Sequence, residues 1–299
     1  MHALVRTTVL ALLLGVVALV VPDSTPAPTH FTLVKLEKAE GVDVDPDVLW
    51  VLAVGSDARP GENPVRVRGD ALQLVGLNTR TGAASAIGIP RDSWVRIPGF
   101  GSNRVNAALN FGGPELLGRT VGNLVGVRPD YVVVATFGGL ARLIRSIGGI
   151  TVNNPRAFSD ANLHPRGWRK GKVRLNGMKA VEFARVRKSL PGGDFDRSAN
   201  QQRVLRGIQR KVAANAGRPG FIEGGVLSVL KHLHTRGVSP AELFRIAQAI
   251  AQVDPGKVTT CVLPGGIGNI GGASVVIPNT AVAKRYGNDA RRDGTIKRC

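Results

Sequence analysis

The stretch VGSDARPGENPVRVRGDALQLVGLNTRTGAASAIGIPRD, residues 54–92, decides how the rest of the chain can be arranged. Three apolar runs, VLWVLAV, ALQLVGL and AASAIGI, each meet a polar cluster at one end: GSDAR, VRVRGD and IPRDS. Runs this short, bounded by Gly and Pro, read as strands of a buried sheet. Charged residues at the mouths of such strands are where α/β sheets build sites. The clusters carry Asp57 and Asp70 on one side, and Arg59, Arg66, Arg68 and Arg91 on the other. Carboxylates can hold a hard divalent cation and guanidiniums can grip phosphate, so the pattern points to a metal–phosphate site.

Working outward, strands are expected over residues 48–54, 70–77, 83–89 and 94–97, the last closed by a PGFGSN turn. Helices follow over 104–111 and 115–125, broken by Gly112-Gly113-Pro114. Residues 131–135 are a β-branched central strand, and 137–147 a helix ended by Gly148-Gly149 in a left-handed cap. A short strand is read at 150–152 and a loop from 153 to 173. Helices at 176–186, 194–213, 221–234 and 240–253 come next, then strands at 258–263 and 274–277 and a basic helix at 280–292. This alternation makes an α/β domain with helices on both faces.

Of the 299 residues, 43% are hydrophobic and 20% charged, which permits a large core and excludes a disordered chain. The formal net charge of +19 implies an anionic partner: nucleic acid, an anionic membrane face or a phosphorylated substrate. Two cysteines, Cys261 and Cys299, exclude a disulfide-dense scaffold and any CxxC motif. Whether they bridge each other depends on their spacing in the fold, and the sequence leaves it open.

The uncharged run TTVLALLLGVVALVV, about 15 residues, follows Arg6 and ends at Pro22. Positive charge before it and Asp23 after it favour an N-terminus inside and a domain outside. No A-x-A cleavage pattern follows, which favours an uncleaved single-pass anchor in the cell membrane over a cleaved signal segment, and either one puts the domain on the extracytoplasmic side. Residues 23–42 read as a Pro- and Thr-containing spacer. Export demotes nucleic acid as a partner and promotes lipid head groups and phosphate-bearing polymers.

A second arginine set lies in FARVRKS and GGDFDRSANQQR. Arg185 and Arg187 sit near a helix end, and Arg197 and Gln201, four apart, share a face of the next helix. Asp194 and Asp196 stand at that helix's start, where carboxylates favour the N-terminus.

Taken in order, GSDAR, VRGD, IPRDS, RVNAALNFGG, DYVVVATFGGLARLIRSIGGI, LNGMKAVEFARVR and GDFDRSANQQRVL resemble the motif series of LytR–CpsA–Psr proteins. The resemblance is strong over residues 48–212 and weaker in PNTAVAKRY. It implies one α/β/α domain with a mixed central sheet and helices on both faces, preceded by an N-terminal membrane anchor. The boundaries are then 1–22 for the anchor, 23–42 for the linker and 43–295 for the domain, of which 213–295 is a C-terminal extension.

The resemblance further implies a phosphotransferase of cell-wall assembly. Such enzymes move an anionic glycopolymer (teichoic acid, capsule or arabinogalactan) from a polyprenyl-pyrophosphate carrier to the 6-hydroxyl of N-acetylmuramic acid in peptidoglycan. By motif, Asp57 and Asp70 resemble the carboxylates associated with Mg²⁺. Arg68, Arg91, Arg185, Arg187 and Arg197, with Gln201, resemble the pyrophosphate-binding set. Asp92, Arg59 and Arg104 are further candidates, and the base that activates the hydroxyl is either Asp57 or Asp92. The lipid tail would need an apolar slot, for which strand 131–135 and helix 137–147 are candidates. Other readings are a non-catalytic receptor for polyprenyl phosphates or wall polymer, and a membrane-tethered transcriptional attenuator. No helix-turn-helix with base-reading residues supports the last, and no nucleic-acid partner is expected.

The chain departs from the family pattern at three places. Asn200 precedes Gln201-Gln202 where an arginine is usual, Gly69 and Ala71 flank Asp70 where hydroxyl residues are usual, and Arg104-Val105-Asn106 replaces Lys-Ile-Asn.

Overall fold

The structure, a computed structural model, describes residues 29–37, 48–59, 61–215, 217–221 and 229–299. The apolar run at residues 7–21 lies outside them, and no described helix is long and apolar enough to cross a membrane.

The three runs of the opening stretch form an antiparallel meander: β2 (Val48–Ser56), β3 (Gly69–Asn78) and β4 (Ala84–Gly88). In register, Leu52 faces Leu74, which faces Ile87 on the next strand. The run at 131–135 is β7 (Tyr131–Thr136), parallel to β2. Beyond it lie β1 (Phe31–Lys35), antiparallel to β7, and β12 (Leu233–Arg236), parallel to β1. β13 (Val258–Val262) adds in parallel to β4, so seven strands run β12-β1-β7-β2-β3-β4-β13 in one mixed sheet.

Strand alternation sends Trp50, Leu52, Val54, Leu72, Leu74, Val132 and Val134 to one face. There they pack against α1 (Ala107–Val125), through Leu109, Leu116 and Leu117, and against Tyr286 of α6 (Thr280–Asp293). α1 is two helices merged across the expected Gly-Gly-Pro break, where Gly113 takes φ 70° and Pro114 restarts the helix. On the other face, Leu49, Leu77 and Tyr131 pack under α5 (Pro240–Ala251). A Ser239–Glu242 capping box starts α5, and Glu242 also pairs with Lys35 at 2.8 Å and accepts from Tyr131 Oη at 3.1 Å. Nearer the top of that face lie α2 (Phe137–Ser146), α3 (Met178–Arg185) and α4 (Asp194–Asn215), with a satellite core around Trp168, Phe183 and Val204.

Several local readings change. Phe31–Lys35, inside the stretch read as spacer, is an inner strand of the sheet. Its Phe31, Leu33 and Val34 are buried, an apolar pattern too short to stand out beside the prolines before it. The loop read over 153–173 holds β9 (Phe158–Asp160), β10 (His164–Trp168) and β11 (Gly171–Leu175). β9 pairs with β10, and β11 pairs with β8 (Ile150–Asn154). Of the helix read over 221–234, residues 222–228 lie outside those described, and its last two residues belong to β12. The PGFGSN turn leads straight into β6 (Gly101–Arg104), which pairs with β5 (Trp94–Ile97). β14 (Gly265–Ile270) pairs with β15 (Ala273–Pro278), a hairpin whose first strand the glycines disguise. Cys261 and Cys299 are bridged, with Cα atoms 5.3 Å apart, which ties the chain end to β13.

Candidate active site

β2 ends, β3 begins and β4 ends at one rim of the sheet, because the meander reverses direction twice. A bulge between Gly55 and Ser56 sets Ser56 opposite Gly69. Asp57 therefore leaves the sheet beside Asp70, and Arg91 and Asp92 follow β4 at the same rim. Gly69 is closely packed: a Cβ there would lie 3.1 Å from Val54 Cγ1 and 3.3 Å from Leu72 Cδ2, so a side chain before Asp70 requires these two neighbours to shift by a few tenths of an ångström.

Arg91 ion-pairs with Asp70 and lies 3.8 Å from Asp92. Asp92, 3% exposed, is also 3.3 Å from Arg187 and 3.8 Å from Arg104. Arg187 continues to Asp194 at 3.8 Å, and Asp194 ion-pairs with the buried Arg197. Arg185 lies 3.8 Å from Asp57, its guanidinium 4.4 Å from the centre of the Phe137 ring. Gln201 donates to the Asp70 carbonyl at 3.2 Å and accepts from Gln73 at 3.2 Å. The two arginine sets, far apart in sequence, meet in one ion-pair network of four guanidiniums and three carboxylates, and the Arg185–Asp57 pair stands beside it, coupled to Asp70 and Arg91 through charge.

Charge coupling follows this geometry. Burial, and then the charge of Asp70, push the Asp57 carboxyl above the usual aspartate range, against the pull of Arg185, Arg91 and Arg59. Burial pulls Arg91 down, but Asp70 and Asp92 outweigh it and hold the guanidinium above its ordinary value. At Arg197 burial prevails over Asp194 and lowers it.

Two candidates stand outside this network. Arg68 is exposed on the loop before β3, with no ion pair or hydrogen bond to a described residue. Arg59 is exposed too, its backbone N–H donating to Glu62 at 2.8 Å. Arg104 also donates to the Ser274 carbonyl at 3.0 Å. The Gln201-Gln202 pair divides its work: Gln202 points back into the sheet and donates to the carbonyls of Ala86 and Cys261. Asn200 is buried and accepts from Arg203 at 2.7 Å.

Sequence reasoning misses two members. Asp194 reads as a helix-start carboxylate, yet its side chain carries Arg187 and Arg197; its i, i+3 spacing to Arg197 is the available signal. Gln73 is a polar residue in an apolar strand, and its amide donates to Ser198 Oγ at 3.2 Å as well as to Gln201.

Beneath the rim lies a cavity of about 120 Å³ between the sheet and α2, α3 and α4. Ala53, Gly55, Ala71 and Ala135 are small on this face, and that leaves the space open. Val133, Leu140, Val181, Val204 and Leu205 complete apolar walls, with Asp70, Arg185, Arg197 and Gln201 at the mouth. Of the lipid-slot candidates, Val133, Ala135, Phe137 and Leu140 line it, whereas Tyr131 is buried under α5.

A model of the LytR_cpsA_psr family matches residues 22–291. The chain is 32% identical over 211 residues to the Bacillus anthracis polyisoprenyl-teichoic acid–peptidoglycan teichoic acid transferase TagU. That match covers 70% of this chain and 65% of the relative, so the chain spans just under two thirds of the relative's length. Among solved structures, a Streptococcus agalactiae protein superposes with a TM-score of 0.71 at 21% identity, over 85% of this chain and 90% of that one. The family protein TagT of Bacillus subtilis, solved with bound octaprenyl pyrophosphate lipid, superposes with a TM-score of 0.64 at 22% identity, over 87% of this chain and 98% of that one. With a family model spanning nearly the whole sequence and the fold shared with these structures, the chain belongs to the LytR–CpsA–Psr family.

Proposed function

We propose that this protein transfers an anionic glycopolymer phosphate from a polyprenyl-pyrophosphate carrier to the 6-hydroxyl of peptidoglycan N-acetylmuramic acid. One observation carries the reading: an arginine–carboxylate rim stands directly over an apolar cavity, a pairing that suits a ligand with a pyrophosphate head and a hydrocarbon tail. Guanidiniums bind phosphate oxygens through paired hydrogen bonds. Phosphoryl transfer needs mainly positioning and charge stabilisation, so no Ser-His-Asp set is required.

In this reading Arg91, Arg185, Arg187 and Arg197 bind the pyrophosphate, with Arg68 and Arg59 free to close from the loop. Gln201 orients Asp70 through its backbone. Asp92 is a positioning residue, since it is buried among Arg91, Arg104 and Arg187. Asp57 is the base: its side chain is 54% exposed at the rim, and its raised pKa suits proton abstraction.

Asp57 and Asp70 also fit a Mg²⁺ ion. Their mutual repulsion is what a divalent cation relieves, and Mg²⁺ commonly takes one or two carboxylates plus substrate phosphates. Among the described residues no group of three or more His, Cys, Asp or Glu could hold an ion without such help. When bound, the metal would neutralise charge on the pyrophosphate oxygens. The uncharged run before Pro22 would hold the domain on the extracytoplasmic membrane face, where lipid-linked polymer is presented.

The test is to incubate the full chain with a polyprenyl-pyrophosphate glycan and peptidoglycan fragments, with and without Mg²⁺. Release of polyprenyl phosphate together with a muramyl-linked product is expected. Tight lipid binding without turnover would replace the transferase reading with that of a receptor.

A further inference from the structure

Phe100 and Phe111 are two large aromatic side chains left at the surface, 53% and 36% exposed. They stack on each other, ring centres 5.1 Å apart and planes 19° from parallel. The pair is built by local sequence. Phe100 tips the β5–β6 hairpin between Gly99 (φ 81°) and Gly101 (φ 73°), whose positive φ only glycine adopts easily. Phe111 sits on α1 just before its break, and its carbonyl accepts from Arg66 at 3.3 Å. The stacking covers only part of the two rings, and an adjacent aromatic pair left this exposed suits a contact surface.

Its position selects the partner. The cavity opens on the sheet face that carries Ala53, Ala71 and Val133, under α2, α3 and α4. α1 covers the opposite face, that of Leu52, Leu72 and Val132. The charged rim of Asp70, Arg91, Asp92 and Arg104 lies between the two. The hairpin ties the pair to that rim: Arg104, at its base, faces Asp92, and Phe100 is four residues away, about 13 Å along an extended strand. In phosphoryl transfer the attacking and leaving oxygens lie roughly in line through phosphorus. With the polyprenyl phosphate leaving toward the cavity, the attacking hydroxyl arrives at the rim from its outer side, away from the cavity floor, and the β5–β6 hairpin borders the rim there.

We infer that Phe100 and Phe111 form a carbohydrate platform that receives the peptidoglycan glycan strand and delivers its muramyl hydroxyl to the rim. The inference rests on the transferase reading for its direction of attack. Sugar rings present C–H faces that pack on aromatic faces, and Arg66, exposed beside Phe111, can donate hydrogen bonds to glycan hydroxyls. In the reaction the hydroxyl oxygen forms the new P–O bond and loses its proton to the base. The P–O bond to polyprenyl phosphate breaks, and the carrier leaves with that electron pair.

The experiment compares the full-length protein with F100A, F111A and F100Y. It reads three quantities: the apparent KM for peptidoglycan fragments, binding to purified insoluble peptidoglycan, and binding of octaprenyl pyrophosphate. Expected are a rise in acceptor KM of roughly ten-fold and loss of peptidoglycan binding in both alanine variants, with lipid binding unchanged and F100Y close to wild type. Unchanged acceptor KM and unchanged peptidoglycan binding would overturn the platform. A parallel fall in lipid binding, or a loss of binding to phosphatidylcholine vesicles in place of peptidoglycan, would overturn it as well. Should the wild type transfer nothing, the transferase reading fails, while Phe-dependent peptidoglycan binding still decides the platform.

Discussion

Arg187 Nη2 lies 3.3 Å from Asp92 Oδ2, joining the loop after α3 to the turn after β4. Asp92 is nearly inaccessible, whereas Arg187 keeps a solvent-facing side. The carboxylate therefore aims the guanidinium and does not itself reach a ligand. Asp92→Asn is expected to weaken octaprenyl-pyrophosphate binding about ten-fold or more, since Arg91, Arg104 and Arg187 lose their common anchor. It should also destabilise the fold by about 1–3 kcal/mol, the cost of leaving buried polar groups poorly paired. Arg187→Ala should weaken lipid binding with a smaller effect on stability. Urea unfolding alongside lipid titration checks both; an Asp92→Asn protein with wild-type affinity would show that the arginines hold their places without it.

Asp57 gives the pH dependence. Its carboxyl is raised above the aspartate range by burial and by Asp70, so as a base it is protonated, and idle, at a pH where an ordinary aspartate is ionised. Turnover should fall as pH drops through that raised value, and Mg²⁺ should move the acid limb to lower pH by favouring the ionised form. For stability the sign is opposite to that of a salt-bridged carboxylate. The folded state holds this proton more tightly than the unfolded one, so its contribution is lost as pH rises above the ordinary aspartate range. Asp57→Asn should remove the limb; a pH–rate profile that keeps it would exclude Asp57 as the base.

The Cys261–Cys299 bridge closes a loop with a sequence separation of 38. Loop-closure entropy gives about 3–4 kcal/mol for a cross-link of this span. Cys299→Ser should lower the thermal midpoint by an amount that reductant also produces in the wild type. Transfer activity at low temperature should persist, since neither cysteine belongs to the ion-paired residues of the rim. Thermal unfolding with and without reductant is the measurement.

β1 makes the stretch before Val48 part of the folded unit. A chain beginning at His30 keeps Phe31, Leu33 and Val34 in the core, whereas one beginning at Val48 exposes the edges of β7 and β12. Each fully buried apolar side chain contributes about 1.5–3 kcal/mol. The shorter chain is expected to aggregate or to lose its cooperative unfolding transition, and the longer one to retain it. Soluble, cooperatively folding protein from the shorter chain would show β1 to be dispensable.

The core of the fold could be read directly. β2, β3, β4 and β7 are apolar runs bounded by turn residues, and each recurs in the structure within about two residues of its expected span. α2 and α4 announce themselves by period and by flanking glycines. β12, with the sequence LHTR, carries no such mark, because a short edge strand is made by its parallel partner β1 and not by its own residues. β9, β10 and β11 are equally silent, being broken by Pro165, Gly167 and a run of cations.

The site divides in the same way. The sequence by itself determined most of the rim's members: Asp57, Asp70, Arg91, Arg185, Arg187, Arg197 and Gln201 stand out because polar residues clustered at strand and helix ends are a local pattern, whereas Asp194 and Gln73 do not. Only the tertiary structure decided how they work together. Ion pairs such as Arg187–Asp92 and Arg197–Asp194 depend on distance through space, and chain connectivity does not encode which carboxylate is buried and which is left exposed at the rim. The cavity was equally out of reach. Ala53, Ala71 and Ala135 are unremarkable one by one, and they make an opening only because three strands set them side by side beneath α2, α3 and α4.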